Sequence, residues 1–219
     1  MHTTFWAPIK LSLTVTLAAG TIVVLLGALL GYIFSRKRFK GKIILETMFM
    51  LPLVLPPSVI GFLLIIIFGN QSVVGKLLKA VLGHSIIFTW YAAVIAATVV
   101  AFPLMFQTAK AGFQGVDRIY EEAAKGLGAT NVQVFFKISL PLAKRALLTG
   151  AILSSARALG EFGATLMFAG NIPGVTQTVP TAIYMAIDSG NMMLAWSWVI
   201  IIIALSYVLL LFTKIKAND

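Results

Sequence analysis

Two charged side chains in this 219-residue sequence stand inside a long apolar stretch: Arg157 and Glu161, within residues 146–168. Four positions apart, they share one face of a helix. At about 1.5 Å per residue from Ala146 they fall near the middle of the stretch. Such a pair can be a structural ion pair that fixes helix packing. It can also serve an anion, since a guanidinium attracts an oxyanion while a neighbouring carboxylate keeps the attraction weak enough for release, as any conduit requires. The residues alone leave both readings open. Other chemistry finds no support. There is no cysteine, and the two histidines, His2 and His84, have few carboxylates nearby, which argues against a metal site. Neither histidine lies in an apolar stretch, so no Ser/His/Asp set can be assembled there. No Gly-x-x-x-x-Gly-Lys-[Ser/Thr] occurs, so the chain has no phosphate-cradling loop of its own. Catalysis by this polypeptide is not expected.

The elements that must position the pair follow from composition. Hydrophobic residues make up 59% of the chain and charged residues 11%, against about 45–50% and about 25% for soluble domains. So little charge cannot cover a soluble core, and disorder requires low hydrophobicity. The chain reads as an all-α, polytopic bundle in a membrane. A hydrocarbon core of about 30 Å takes about 20 apolar residues per helix, and residues 11–34, 43–68, 85–107, 146–168 and 195–212 qualify as five spans. Helices are the expected form because lipid cannot satisfy a bare backbone. A charge at mid-span costs on the order of 2.5–3.5 kcal/mol, so Arg157 and Glu161 should face the bundle interior or a wet cavity.

Basic residues set the orientation. Thirteen of the seventeen fall on one side: Arg36, Lys37, Arg38, Lys40, Lys42, Lys110, Arg118, Lys125, Lys137, Lys144, Arg145, Lys214 and Lys216. Lys10, Lys76 and Lys79 fall on the other. The positive-inside rule puts the larger group in the cytoplasm, the amino terminus outside and the carboxyl terminus inside. A net charge of +10 could suit nucleic acid, but these residues cluster at span boundaries, so no such partner is expected. The first span has no basic leader and exceeds the about 7–15 apolar residues of a signal-peptide core, so it is expected to stay.

The cytoplasmic segment 108–145 is longer than a helix connection needs. Asp117 can cap a short helix through Glu121, Glu122, Ala123 and Ala124, which Gly126 and Gly128 then break. Thr130 and Gln133 form a Thr-x-x-Gln capping box for a second helix, with Val132, Phe135 and Phe136 on one face. Pro141 suits the start of the next span. Two short helices meeting at a glycine bend can rest on lipid headgroups or form a docking elbow for another protein. In the second span Pro52, Pro56 and Pro57 interrupt the helix, either as a kink beside a translocation path or as a packing irregularity. Gly27-x-x-x-Gly31 permits close helix approach, within the chain or between subunits.

Glu122-Ala123-Ala124, three residues, Gly128, nine residues, then Ile138-x-Leu140-Pro141 resembles the EAA signature of bacterial binding-protein-dependent ABC importer permeases. Residues 55–61 (LPPSVIG), 157–165 (RALGEFGAT), 169–174 (AGNIPG) and 176–184 (TQTVPTAIY) look like the molybdate and tungstate permeases. The resemblance covers most of the chain. It implies that Glu122, Ala123, Ala124 and Gly128 form a coupling turn seated in a cytoplasmic ATPase subunit, and that Ile138, Leu140 and Pro141 lead into the next span. It also implies a pore-facing scoop over residues 170–194. The short amino-terminal region favours molybdate over the related sulfate permeases.

The expected protein is therefore a multi-pass permease of a bacterial or archaeal cytoplasmic membrane, for molybdate or tungstate. A second copy of the chain would complete the path, with Arg157, Glu161, Pro56 and Pro57 as candidate lining. A separate ATPase dimer would bind ATP and Mg, and an extracytoplasmic protein would deliver the oxyanion. The alternatives are a sulfate or thiosulfate permease, and an ion-coupled secondary transporter, for which Glu161 is the lone central carboxylate.

Overall fold

A 35-residue helix, α1 (His2–Arg36), opens the chain. The computed structural model describes the backbone of residues 2–218 and the side chains of residues 5–211. The side chains of His2, Lys214 and Lys216 therefore lie outside the described residues. After α1 come α2 (Lys42–Val54), α3 (Pro57–Phe68), α4 (Val73–Leu82), α5 (Trp90–Gln114), α6 (Arg118–Gly126) and α7 (Asn131–Val134). A π-helical turn (Phe135–Ser139) leads into α8 (Leu140–Leu159), followed by α9 (Gly163–Phe168), α10 (Val179–Asp188) and α11 (Met192–Asn218). No strand occurs among the described residues.

The core is built around α5, which packs against α1 and α8. Small residues allow this. On α5, Ala92, Ala93, Ala96, Ala97, Ala101 and Ala109 are buried, and between apolar helices small side chains let backbones approach and gain dispersion contact. Gly27 and Gly31 of α1 face α5: a Cβ at Gly31 would stand 2.7 Å from Ala109 Cβ and 2.9 Å from the Lys110 amide nitrogen. The Gly-x-x-x-Gly pair therefore serves packing within the chain. A smaller cluster joins Ile9 of α1 to Val179, Ala182 and Ala186 of α10 and Ala195 and Trp198 of α11. It is pinned by Val179 N–H donating to Ser12 Oγ (2.8 Å) and Trp198 Nε1 donating to Phe5 O (3.2 Å).

Among the described residues, three continuous helices are long and apolar enough to cross a membrane: Phe5–Arg36, Trp90–Gln114 and Met192–Leu211. The other two expected spans are divided. Residues 43–68 form α2 and α3, bent by 119° where Leu55 and Pro56 leave the helix. At 13 and 12 residues, each half reaches less than about 20 Å, short of the roughly 30 Å hydrocarbon core. Residues 146–168 likewise divide at Gly160, where α8 ends and Phe162 leaves helical geometry at φ −125°, ψ −60°. The third stretch is displaced rather than broken. Helix α5 starts at Trp90 and continues to Gln114, so the irregular part of the expected 108–145 segment begins only at Gly115. Between the second and third stretches the sequence predicts only an outer segment. The structure adds α4 there, capped by Ser72 Oγ accepting from Gly75 N (2.8 Å) and stopped by Gly83 at φ +77°.

Candidate coupling elbow and ion-paired helix break

Each turn of the elbow has a chemical cause. Asp117 Oδ1 accepts from Ile119 N (3.0 Å) and starts α6. The helix ends in a Schellman motif: Ala129 N–H donates to Ala124 O (3.0 Å), and Gly128 N–H donates to Lys125 O (2.9 Å). Gly128 takes φ +88°, a conformation only glycine adopts freely. Gly126, expected to share in the break, is the last helical residue. The Thr130–Gln133 capping box is complete, with Gln133 N donating to Thr130 Oγ1 (3.3 Å) and Thr130 N to Gln133 Oε1 (2.8 Å).

What holds the elbow to the bundle is a residue that the motif did not single out. Glu121 Oε1 accepts from Arg36 Nε (3.0 Å), Arg36 Nη2 (2.7 Å) and Ser139 Oγ (2.7 Å). The guanidinium also donates to Val116 O (3.0 Å). One carboxylate thus ties the end of α1, the start of α6 and the π-helical turn together. Adjacent glutamates on a helix point about 100° apart, and nothing in the sequence says which faces inward. Glu121 does. Glu122 and Ala123 are exposed and Ala124 is half-buried. Leu127, also unassigned from sequence, is 90% exposed at the tip beside Gly128. Ile138 and Leu140 are half-buried, and Pro141 sits exposed in the first turn of α8.

The expected apolar stripe of Val132, Phe135 and Phe136 lines one groove against α1. Phe135 goes deepest, with ring centroids 4.7 Å from Tyr32 and 6.1 Å from Phe113. Val132 and Phe136 are 65% and 60% exposed, and Val134 on another face is buried. From Phe135 the helix passes into the π-helical turn, in which Leu140 N–H reaches back five residues to Phe135 O. The extra residue per turn shifts the helix faces beyond it from those that a 3.6-residue period would align. The same turn presents Ser139 to Glu121.

Arg157 and Glu161 meet as expected, with Nη1 2.8 Å from Oε2, although Glu161 lies just beyond α8 rather than on it. The carboxylate is 1% exposed and the guanidinium side chain 31%. Glu161 Oε1 accepts from Ala164 N (2.9 Å), satisfying an amide at the start of α9, while Oε2 has the arginine and no aligned hydrogen bond. The carboxylate therefore caps one side of the break and the arginine neutralises it from the other. Pro57 joins this neighbourhood: a Cβ on Gly163 would stand 2.9 Å from Pro57 Cβ, and Gly61 packs on Ala164 and Met167. The two helix breaks thus pack on each other, with Pro56 and Pro57 exposed beside them. Among the described residues no group of three or more His, Cys, Asp or Glu could hold a metal.

Residues 13–217 match the family described as binding-protein-dependent transport system inner membrane component. The chain belongs to that family. Over 212 residues, covering 97% of this chain and 93% of the relative, it is 58% identical to the putative molybdenum transport system permease protein YvgM of Bacillus subtilis (strain 168). It is 40% identical over 210 residues, 95% of this chain and 92% of the relative, to the molybdenum transport system permease protein ModB of Escherichia coli (strain K12). Among solved structures, a bacterial ABC transporter that imports the acidic polysaccharide alginate superposes with a TM-score of 0.77, covering 98% of this chain and 79% of the other, at 16% identity. The MetNI methionine ABC transporter gives 0.71 over 100% and 94%, also at 16% identity. At such identity the likeness speaks for the fold, which is that of an importer's membrane-spanning subunit. For a member of this transport family, the elbow and the ion-paired break are the features to explain.

Proposed function

We propose that this chain is the permease subunit of an ATP-driven importer of molybdate or tungstate, paired with a second copy of itself. Five crossings, two of them broken, would carry the amino terminus outside and the carboxyl terminus in the cytoplasm. The elbow would seat in a cytoplasmic ATPase dimer that binds ATP and Mg, and an extracytoplasmic binding protein would deliver the dianion. The observation that carries this reading is the elbow. An exposed Glu122-Ala123 face and the projecting Leu127 are held by a glycine turn on a buried three-element anchor, so a push on the tip is delivered to α1 and α8. The 58% identical molybdenum permease supports the substrate.

Within that reading Arg157 attracts the oxyanion toward the packed helix breaks, and Glu161 holds the arginine back from binding it too firmly. Only a partner with different affinity for two states can shift a gate between them, so ATP-driven closure of the ATPases supplies the bias through Glu122–Gly128. The test is uptake of labelled molybdate into proteoliposomes holding the permease, its ATPase and its binding protein. Uptake that needs ATP, is competed by tungstate and is indifferent to sulfate is expected. Sulfate uptake, or uptake driven by a proton gradient without ATP, would refute it.

A further inference from the structure

Outside the elbow's tip, the apolar stripe of Val132, Phe135 and Phe136 lines a cavity of about 490 Å³ between α1 and the α7 region. Its walls are Leu29 and Ile33 of α1 and the exposed Val132 and Phe136, and its rim carries Lys37 and Lys125. Arg36 also borders it, but its guanidinium is spent on Glu121 and Val116. Neither Lys37 nor Lys125 has an ion-pair partner among the described residues. We infer that this groove binds an anionic diacyl phospholipid, its phosphate between Lys37 and Lys125 and an acyl chain along Leu29, Ile33, Val132 and Phe136.

Depth decides for a lipid over a protein occupant. Leu29 lies seven residues inside Arg36, about 10 Å along the helix axis, and exposed Leu25 and Leu26 continue the apolar surface beyond it. With Arg36 at the cytoplasmic boundary, the inner wall stands at hydrocarbon depth, where a soluble subunit has no access. Basic pockets between helices on the cytoplasmic side suit anionic headgroups. The inference rests on the proposed orientation and not on the transported anion. A lipid wedged here would touch both α1 and the segment leading out of the elbow.

The full-length chain in nanodiscs of equal phosphatidylglycerol and phosphatidylcholine provides the test, with bound lipid read by native mass spectrometry. The expected result is retention of phosphatidylglycerol, with the preference falling about fivefold for each of Lys37→Gln and Lys125→Gln. Both lysines are exposed, and an unchanged melting temperature verifies folding. A photoreactive side chain at Val132 should give a lipid adduct in the assembled transporter. A preference unchanged in the double variant overturns the inference, as does an adduct with the ATPase or no lipid adduct at all. Failure here leaves ATP-driven uptake as the separate readout for the importer reading.

Discussion

Arg36, the last residue of α1, and Glu121, in the first turn of α6, stand 85 positions apart and meet at 2.7 Å, with side chains only 12% and 9% exposed. Any displacement of the elbow must carry the end of α1 with it or break a shielded ion pair.

Removing one member of a buried pair strands the other, at a cost of about 3–5 kcal/mol. Glu121→Ala should therefore lower the melting temperature of the purified protein sharply. Glu122→Ala, at an exposed site, should stay within about 0.5 kcal/mol of wild type. Replacing both charges in an Arg36→Met/Glu121→Leu variant should recover much of the stability while weakening the link between ATP turnover and uptake. Equal melting temperatures for Glu121→Ala and Glu122→Ala would sink the anchor.

Gly128 has open space around it, with nothing within 4 Å of where a Cβ would stand, yet its φ is +88°. Substitution therefore acts through the backbone alone. Gly128→Val should be strained by more than about 1 kcal/mol and should lose capture of the ATPase while still inserting in the membrane. Gly128→Asn, a residue that tolerates this region, should retain most of it. Normal recruitment by the valine variant in a pull-down would remove the turn from the docking role.

At the second ion pair the two partners are not equivalent. Arg157→Met leaves a carboxylate that is 1% exposed without its counter-ion, whereas Glu161→Gln keeps an acceptor for Ala164 N and leaves a partly solvated arginine. The arginine variant should be the less stable in thermal unfolding, by about 2 kcal/mol or more. If Arg157 also guides the anion, Arg157→Gln should reduce molybdate uptake beyond its loss of folded protein. Unchanged uptake per folded molecule would confine the pair to structure.

Gly31 and Gly27 should both resist enlargement. A methyl at Gly31 would stand 2.7 Å from Ala109 Cβ and 2.9 Å from the Lys110 amide nitrogen, and one at Gly27 would stand 2.5 Å from Met105 Cγ and 3.2 Å from the Phe106 amide nitrogen. Met105 is fully buried, so neither site has room to give. Gly31→Ala and Gly27→Ala should each cost about 1–3 kcal/mol as overpacking, measured by denaturant titration in detergent. Wild-type stability in either variant would mean that α1 and α5 separate more easily than their packing implies.

Sequence alone determined a great deal, because the governing physics was local or compositional. Apolar content decided an all-helical membrane protein, and the Asp117 and Thr130 caps fixed where the elbow's helices start. The Gly128 bend and the Arg157/Glu161 pair were legible because both act within four residues. Tertiary structure decided the rest. Pro56 and Pro57 forecast an interruption, but the 119° turn depends on α3 packing against α9 through Gly61 and Gly163. The inward glutamate could not be chosen from sequence, because its partners are an arginine 85 residues upstream and a serine 18 residues downstream. That serine is presented by a π-helical turn with no signal in a 3.6-residue period. Local hydrogen bonding writes itself into neighbouring residues; a buried charge is placed by whatever distant group neutralises it.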